Sequence, residues 1–314
     1  MKKVLVTGGC GYVGTELVKS LLAEGYEVVV ADTMWFGDYL VEHKNLIKIK
    51  ANILDIDAIP MEKIDTVFHL ANIANDPSGD LNSKLTWEVN VLASKLLVEK
   101  AIENGVKQFI YASSGSVYGI KDEEHVTEEL SLVPISDYNK TKMISERVLL
   151  SYADKINFVA IRPATVCGYS PRMRLDVSVN MLTIQALTNK KITVFGGDQA
   201  RPNIHIQDMV GVYLHFLKND HLVGIYNAGF ENISILDIAN KVVQEIDAEI
   251  IITPSNDPRS YRLNSDQLLN TGFTPQYNVA YAISEIIEKY RSGDLRDEDR
   301  YYNLRVMKEL ELGV

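Results

Sequence analysis

Three side chains near the middle of the chain have the types and spacing needed to take a proton from a hydroxyl group. Tyr138 and Lys142 lie four positions apart, so on a helix they share one face, one turn apart. A lysine ammonium beside a phenol stabilises the phenolate, which lowers the pKa of the tyrosine and favours its use as a base. Ser114 lies 24 residues upstream of Tyr138, in the stretch YASSGSVYG.

The Tyr-x-x-x-Lys pattern carries little information by itself. The chain holds 16 tyrosines, so about one such pair is expected by chance. Its position gives it weight, because it opens a predicted helix and follows a predicted strand that ends next to Ser114.

A glycine-rich stretch, TGGCGYVG at residues 7–14, predicts a second kind of chemistry. It follows an apolar strand pattern and opens a helix pattern, which is where a dinucleotide places its phosphates. Two spacings fit: G-x-G-x-x-G through Gly9, and G-x-x-G-x-x-G through Gly8. We expect the following residues of the stretch to contact the cofactor: Gly8, Gly11, Tyr12, Val13 and Gly14.

Asp32 ends the second predicted strand, 18 residues after Gly14. A carboxylate there accepts hydrogen bonds from ribose hydroxyl groups and repels a 2′-phosphate, so the sequence predicts NAD rather than NADP as the cofactor. The alternative is an ordinary strand-to-helix turn followed by a solvated aspartate.

Composition excludes several classes of protein. The chain has 314 residues, 46% of them apolar, and a net charge of −10, which argues against non-specific nucleic-acid binding. Its two cysteines imply no disulfide framework and fit a reducing cytoplasm. The first apolar run, Val4 to Val6, is too short for a signal peptide, and no run is long enough to span a membrane. We therefore expect a cytoplasmic protein.

The elements that must position these residues alternate along the chain. Short apolar runs separated by longer helical patterns predict a parallel sheet covered on both faces, hence an α/β fold. The predicted strands are 3–7, 27–31, 46–50, 66–70, 108–112 and 157–162, and the predicted helices are 11–24, 81–104 and 137–153. The pattern loosens after Gly168, and a strand at 224–227 can rejoin the sheet. Residues 1–167 plus about 204–228 are predicted to form the NAD-binding domain. About 168–203 and 229–314 form a smaller, interleaved substrate-binding lobe, and its charged end, 295–310, forms a packed terminal helix or an oligomer contact.

Taken together, the motifs resemble the extended short-chain dehydrogenase/reductase family of nucleotide-sugar enzymes. The resemblance extends over nearly the whole chain. It rests on the glycine stretch, Asp32, HLA at 69–71, SSGSVYG at 113–119, Tyr138 with Lys142, RPAT at 162–165 and RPNIHIQDMV at 201–210. It implies a Rossmann-type doubly wound parallel sheet. It also implies that Ser114 binds the reacting sugar oxygen, that Tyr138 takes its proton, and that Lys142 holds Tyr138 and the nicotinamide ribose. Further cofactor contacts are implied at Asn52, Ile53, Leu70, Ala71 and Pro163.

The same resemblance places a nucleotide-diphosphate sugar in the second lobe. It implies that Arg201 binds the diphosphate, because a forked guanidinium suits that group. Arg259 is a second phosphate candidate, and Ser116 and Asn180 are candidate substrate contacts. The alternatives are a surface ion pair for each arginine and simple helix-surface polarity for Asn180. His205 and Asp208 suggest a metal, but no further ligand completes a site, so we predict none.

Comparison with the family narrows the reaction. Its 4,6-dehydratases carry an Asp-Glu pair where this chain has Gly115 and Ser116, so we expect no dehydration. The cysteine typical of its 3,5-epimerases is also absent from the matching stretch. A C4 dehydrogenase, a C4 epimerase and a ketone reductase remain, and all three use the same residues.

Residues 72–90 depart from common 4-epimerases and resemble dehydrogenases of GDP-activated heptoses in bacterial capsule assembly. The sequence therefore predicts oxidation of GDP-D-glycero-α-D-manno-heptose to its 4-keto form, with a 2-keto acid as a possible hydride acceptor. A UDP-glucose 4-epimerase-like activity is the alternative. The non-enzymatic alternatives are an NAD-sensing regulator and a structural partner in a sugar-assembly complex. Family members usually dimerise through the helices equivalent to 81–104 and 137–153, so we expect a homodimer or a higher homo-oligomer.

Overall fold

A computed structural model describes residues 2–255 and 261–312. The strands are β1 (Lys3–Thr7), β2 (Glu27–Asp32), β3 (Leu46–Lys50), β4 (Thr66–His69), β5 (Gln108–Ala112), β6 (Asn157–Pro163), β7 (Thr165–Cys167), β8 (Lys191–Phe195), β9 (Ala200–His205), β10 (Gly224–Ala228), β11 (Glu231–Ser234) and β12 (Glu249–Thr253). The α-helices are α1 (Tyr12–Ala23), α2 (Asp76–Leu81), α3 (Ser83–Trp87), α4 (Ala93–Glu103), α5 (Asp137–Leu150), α6 (Ser178–Asn189), α7 (Ile206–Lys218), α8 (Ile235–Glu245), α9 (Asp266–Leu269), α10 (Val279–Ser292) and α11 (Asn303–Glu309).

The central layer is a seven-stranded sheet in the order β10-β6-β5-β4-β1-β2-β3, and every neighbouring pair is parallel. This confirms the predicted Rossmann-type α/β fold. Alternation along β1 explains why both faces are covered: Val4 and Val6 pack into one core, and Leu5 packs into the core on the opposite face. Strand β10 pairs with β6 and so rejoins the sheet, as predicted.

The strand order reverses between β1 and β4. The chain moves outward from β1 through β2 and β3, then returns to β4 on the other side of β1. In sheets of this kind, the loops at the carboxyl ends of the strands separate at the reversal and leave a crevice, which is where ligands bind.

Two smaller sheets lie beyond the main one. Strands β11, β9 and β7 form a three-stranded sheet, and β12 pairs with β8. A separate core joins α6, α8 and α10 to this region and includes Leu182, Ile238 and Ile283. The division into an NAD-binding domain and a substrate-binding lobe at the predicted boundaries remains a prediction.

The predicted helix over 81–104 is interrupted in the structure. Asn82 ends α2 and caps α3, because its Oδ1 accepts a hydrogen bond from the Leu85 amide at 2.9 Å. A π-helical segment, Glu88–Leu92, then joins α3 to α4. Near the chain's end, α11 packs Met307 into the core beneath the main sheet. Within the described residues, no helix is long and apolar enough to cross a membrane.

Candidate active site

A cavity of about 760 Å³ lies at the carboxyl edge of the main sheet. Residues at or just after the ends of five strands line it: Gly8, Asp32, Leu70, Ser113 and Pro163. These positions are far apart in the sequence, and they meet because parallel strands all present their carboxyl ends at one edge. The cavity is therefore the crevice expected where the strand order reverses.

The glycine stretch forms the floor of one end of this cavity. Gly8 has a φ of +73°, and a Cβ atom there would lie 2.6 Å from the Ala71 nitrogen. A Cβ atom at Gly14 would lie 2.3 Å from the Gly8 oxygen. Gly9 instead contacts Val30 in the core and does not line the cavity. Of the two possible spacings, the structure thus brings G-x-x-G-x-x-G to the cavity.

Helix α1 begins at this loop with its first amides uncapped by any described side chain. Gly11 is its N-cap residue, and the first turn carries no acidic residue. Unpaired amides and the helix dipole at such an end favour a bound anion. Tyr12 and Val13 line the cavity, but the Tyr12 hydroxyl donates to the Gly168 carbonyl at 2.7 Å. Contact between Tyr12 and a phosphate would therefore use the Tyr12 backbone.

Asp32 holds the glycine loop and still faces the cavity. Its Oδ2 accepts from the Cys10 amide at 2.9 Å, and its Oδ1 accepts from the Met34 amide at 2.7 Å. Burial raises the pKa of Asp32, and these two hydrogen bonds oppose the rise. A carboxylate has about four acceptor positions, so Asp32 retains capacity for a ribose hydroxyl. Asn52 and Ile53 line the cavity beside it.

Tyr138 and Lys142 lie on α5 and both line the cavity. Ser136 caps the helix by accepting from the Asn139 amide at 3.2 Å, which fixes the turn that carries Tyr138. The Lys142 Nζ atom donates to the Ala112 carbonyl at 2.6 Å and lies 5.9 Å from the centre of the Tyr138 ring. The two side chains share a face of the helix, as the spacing predicts.

The sequence predicts that Lys142 lowers the pKa of Tyr138, but without a bound cofactor the pKa of Tyr138 is raised. Burial raises the pKa of Tyr138 to about 12, although hydrogen bonding with Ser114 opposes the rise. Burial also lowers the pKa of Lys142 to about 7, so its ammonium is a weaker source of positive charge than the sequence suggests. Desolvation is the largest cause of both pKa shifts, and neither residue is a main cause of the shift of the other.

Ser114 lies beside Tyr138 at the start of a 3-10 turn, Gly115–Tyr118. Its Oγ is 2.7 Å from the Oγ of Ser116, which donates to Asn139 Oδ1 at 2.5 Å. A Cβ atom at position 115 would lie 2.8 Å from the end of the Leu263 side chain and 3.0 Å from the Pro163 oxygen. A larger residue there would require Leu263 to move and the backbone to shift by a small amount, and Gly115 itself supplies neither an acid nor a base.

A buried ion pair lies behind these residues. Glu146 lies two turns after Tyr138 on α5. Its carboxylate accepts hydrogen bonds from Arg162 Nε at 2.9 Å and from Arg162 Nη2 at 2.5 Å. Its Oε2 also accepts from the Ser113 hydroxyl at 2.8 Å. Arg162 further donates to the Tyr118 hydroxyl at 2.6 Å. One network thereby joins α5 to β6 and to the loop that carries Ser114.

The model of the NAD dependent epimerase/dehydratase family matches residues 4–229, which is more than half of the chain. The chain belongs to the NAD-dependent epimerase/dehydratase family. A Bacillus subtilis (strain 168) protein named uncharacterized UDP-glucose epimerase YtcB is 33% identical over 76% of this chain and 81% of its own length. The UDP-glucose 4-epimerase of Lactobacillus helveticus is 28% identical over 95% of this chain and 100% of its own.

Two solved structures share the fold of this chain over most of its length. The UDP-glucose 4-epimerase of Thermotoga maritima with UDP-glucose has a TM-score of 0.84 and 25% identity, covering 93% of this chain and 100% of that chain. MoeE5 in complex with UDP-glucuronic acid and NAD has a TM-score of 0.82 and 26% identity, covering 93% and 99%. The chain is thus an NAD-dependent nucleotide-sugar enzyme, which sets aside the regulator and structural-partner alternatives.

The residues of this family member fit NAD. The glycine loop has no side chain where phosphates must approach, and the start of α1 is free of a side-chain cap. Asp32 faces the cavity, and Leu70, Ala71 and Pro163 line it. The individual cofactor contacts expected from the sequence remain predictions.

The predicted substrate residues fall into three groups. Ser116 and Arg201 line the cavity. Asn180 does not, and it is fully buried. The side-chain oxygen of Asn180 accepts a hydrogen bond from the backbone amide of Gly168 at 3.0 Å. Its side-chain nitrogen donates to the Arg174 carbonyl at 2.9 Å and to the Tyr12 hydroxyl at 3.1 Å. This corrects the expected substrate contact, because its polar atoms are used within the protein. Arg259 lies outside the described residues.

Several cavity residues are absent from the sequence-based assignment. Arg172 and Arg174 line the cavity, and both follow Gly168, where the sequence pattern loosens. Asn303 also lines the cavity, although it lies 131 positions after Arg172 in the sequence. The buried amide of Asn72 also lines it and has no hydrogen-bond partner among the described residues. Asn72 directly follows the HLA motif, which is the one local signal that points to it.

Proposed function

We propose that this enzyme oxidises C4 of the sugar in a nucleoside diphosphate sugar and transfers the hydride to NAD. The observation that carries the proposal is the meeting of Ser114, Tyr138 and Lys142 in one cavity with the glycine loop. The residues at positions 115 and 116 support it, because dehydration needs an added acid and base, and Gly115 and Ser116 supply neither.

Each side chain then has a defined task. Because burial raises the pKa of Tyr138, the phenolate would form beside the positively charged ring of bound NAD; its Oη atom then takes the proton of the C4 hydroxyl, while Ser114 hydrogen-bonds the same sugar oxygen. Lys142 supports Tyr138 and binds the nicotinamide ribose. When bound, oxidised NAD supplies the hydride acceptor and a positively charged ring. The C4–H bond breaks with its electron pair, the proton goes to Tyr138, and a C4 ketone forms.

Arg201 and the start of α6 are proposed to hold the diphosphate of the sugar nucleotide. Val177 and Ser178 line the cavity where this helix begins, and the buried Ser178 Oγ has no hydrogen-bond partner among the described residues. A helix N-terminus with an arginine nearby suits a diphosphate. We keep Ser116 as a proposed sugar contact and Arg259 as a second proposed phosphate ligand.

The proposed substrate is GDP-D-glycero-α-D-manno-heptose, and the proposed product is its 4-keto form. The support is the resemblance of residues 72–90 to heptose dehydrogenases, and a 2-keto acid is the proposed acceptor that regenerates NAD. A 4-epimerase is the second candidate. The relatives named UDP-glucose 4-epimerase favour it, and it requires only that the hydride return to the other face of the ketone.

We also propose a cytoplasmic homodimer. Trp87 and Leu92, on the helical stretch that includes α3 and α4, are 36% and 49% exposed, which leaves apolar surface next to α5. Light scattering tests the dimer, and a mass equal to one chain would contradict it.

The deciding experiment is mass spectrometry of the purified enzyme with UDP-, dTDP-, CDP- and GDP-sugars, including GDP-heptoses, with and without NAD and a 2-keto acid. Loss of two hydrogens supports the dehydrogenase and identifies its substrate. An unchanged mass with a shifted retention time supports the epimerase instead. Loss of water contradicts the interpretation of Gly115.

Two variants connect the product to the site. Tyr138→Phe should abolish hydride transfer while NAD binding is retained. Tyr152→Phe is the matched control, because the Tyr152 hydroxyl bonds Glu99 at 2.7 Å and does not line the cavity. Equal turnover by both variants would remove Tyr138 from the mechanism.

A further inference from the structure

Two buried arginines lie at the cavity with donors that the described residues do not use. Arg172 is 2% exposed. Its Nη2 donates to Asn303 Oδ1 at 2.6 Å and its Nη1 to the Met173 carbonyl at 3.1 Å, but its buried Nε has no partner among the described residues. The Nε atom of Arg174 donates to Asp176 Oδ1 at 2.8 Å, but its buried Nη2 atom also has no hydrogen-bond partner among the described residues.

The charge of this pair is only partly balanced. Asp176 forms an ion pair with Arg174, whereas none of the described carboxylates lies within ion-pair distance of Arg172. Burial, and then the like charge of Arg174, lower the pKa of Arg172 to about 10. Buried charges are normally paired, and buried donors are normally satisfied. Asp32 also lies close enough to Arg172 to interact with it electrostatically, so the unused donors of the two arginines, rather than a net charge, mark the place for an anion.

The location of the pair indicates which anion. Its segment is tied to the start of α1, because Ser170 donates to the Tyr12 carbonyl at 2.9 Å and Tyr12 donates to the Gly168 carbonyl at 2.7 Å. The Arg172 guanidinium lies 4.2 Å from the centre of the Phe36 ring, four positions after Asp32. The arginines are thus held next to the helix end and the aspartate that serve the dinucleotide.

We propose that Arg172 and Arg174 form a diphosphate clamp, and that it binds the pyrophosphate of NAD together with the glycine loop. Bidentate donors such as guanidinium groups suit a diphosphate, and their bonds to an ionised group are stronger than neutral ones. The substrate also carries a diphosphate, so the test must separate the two ligands.

Asn303 is the positioning residue of this clamp. Asn303 is 5% exposed, and its side-chain oxygen accepts a hydrogen bond from Arg172. Its backbone amide donates to Asp176 Oδ2 at 3.1 Å. It thereby orients both arginines, one directly and one through Asp176. The Leu175 amide also donates to the Tyr301 carbonyl at 3.0 Å. The segment at 301–303 is therefore part of the proposed cofactor site rather than only a terminal support.

The test is calorimetric titration of the nucleotide-free enzyme with NAD, ADP and adenosine, and separately with UDP and GDP. Arg172→Met and Arg174→Met should each weaken NAD and ADP by about tenfold or more, with less than a twofold change for adenosine, which has no phosphate. Asn303→Ala should weaken NAD and ADP in the same pattern but by less. Arg201→Met is the matched control and should leave NAD affinity unchanged while weakening UDP or GDP.

Three results would overturn the proposal. Equal losses for adenosine and ADP would assign the arginines to packing, and unchanged NAD affinity would remove the clamp. Weaker binding of UDP or GDP with unchanged NAD affinity would assign the pair to the substrate. Thermal unfolding checks that each variant folds, and Arg172→Lys, which keeps the charge but not the fork, replaces Arg172→Met if that variant does not. Since no sugar is present, failure of the proposed reaction would not affect the result.

Discussion

Lys142 shows how strongly the environment of one side chain controls its charge. It is 3% exposed, and burial lowers its pKa from 10.5 to about 7. Between these two values the unfolded chain binds a proton that the folded chain does not, so this residue makes stability rise with pH across that window. Below about pH 7 both states are protonated, and the cost of burying the charge is present in full.

Lys142→Met should therefore remove a pH-dependent term from the free energy of unfolding. From pH 7.5 to 9.5, the wild type should gain on the order of 2 to 3 kcal/mol relative to the variant, since nearly the whole window lies between the two pKa values and each unit corresponds to about 1.4 kcal/mol. Urea denaturation at both pH values measures the difference. Comparing the two proteins cancels the titration of the buried cysteines, and parallel curves would show that Lys142 is charged throughout.

Glu146 and Arg162 offer a second prediction at this scale. Both side chains are almost fully buried, so Glu146→Gln leaves the Arg162 charge without its partner. The expected loss of stability is about 3 to 5 kcal/mol. The double variant Glu146→Gln with Arg162→Met removes both charges and should be more stable than Glu146→Gln alone. Denaturation of the two single variants and the double variant measures the coupling, and additive losses would show that the pair does not interact in this way.

At the scale of elements, α2 sets the position of α5. A Cβ atom at Gly79 on α2 would lie 2.9 Å from the Cβ of Tyr138 and 3.4 Å from its backbone. Helix α2 can approach this closely because position 79 has no side chain. Tyr138, the proposed base, is thus placed by a glycine 59 positions earlier in the chain.

Gly79→Ala should lower kcat by at least about tenfold, because it pushes Tyr138 away and small displacements of a catalytic group are costly. Alanine favours a helix over glycine, which offsets part of the cost of the added contact, and thermal unfolding checks that the variant is folded under assay conditions. Gly211→Ala in α7 is the matched control, since its nearest contact would be an ordinary 3.4 Å to Phe273. Steady-state kinetics of both variants decide the point, and equal activity would show that α5 tolerates the added methyl group.

Elements were predictable where local pattern decides the structure. The apolar runs of β1 to β6, the glycine loop and the Tyr138 helix follow from short-range spacing, and the structure confirms them. The break at Asn82 was missed because a capping asparagine inside a helical pattern gives a weak signal. Asn303 was missed because its contact with Arg172 spans 131 positions. The pKa of Tyr138 was misjudged because burial, which opposes the effect of Lys142, cannot be read from residue spacing.

For the whole molecule, Asn180 links parts of the chain that are far apart in the sequence. Its amide bonds Tyr12 at the start of α1, Gly168 after β7 and Arg174 at the cavity. These contacts join the glycine-loop end of the main sheet to the segment that carries the two cavity arginines. A residue that bound substrate would instead present its amide to the cavity.

Asn180→Ala therefore distinguishes a structural role from a substrate contact. The change leaves the Gly168 amide and the Arg174 carbonyl without their side-chain partner, and each unsatisfied buried group costs about 1 to 3 kcal/mol. Stability measured by urea denaturation should fall by about 2 to 4 kcal/mol. NAD affinity should also weaken because Arg174 is less well held, whereas the KM for the sugar nucleotide at saturating NAD should change by less than about threefold. Arg201→Ala serves as the comparison, and we expect it to raise the KM for the sugar nucleotide with little change in stability. If Asn180→Ala raised KM as strongly as Arg201→Ala without loss of stability, Asn180 would be a substrate ligand after all.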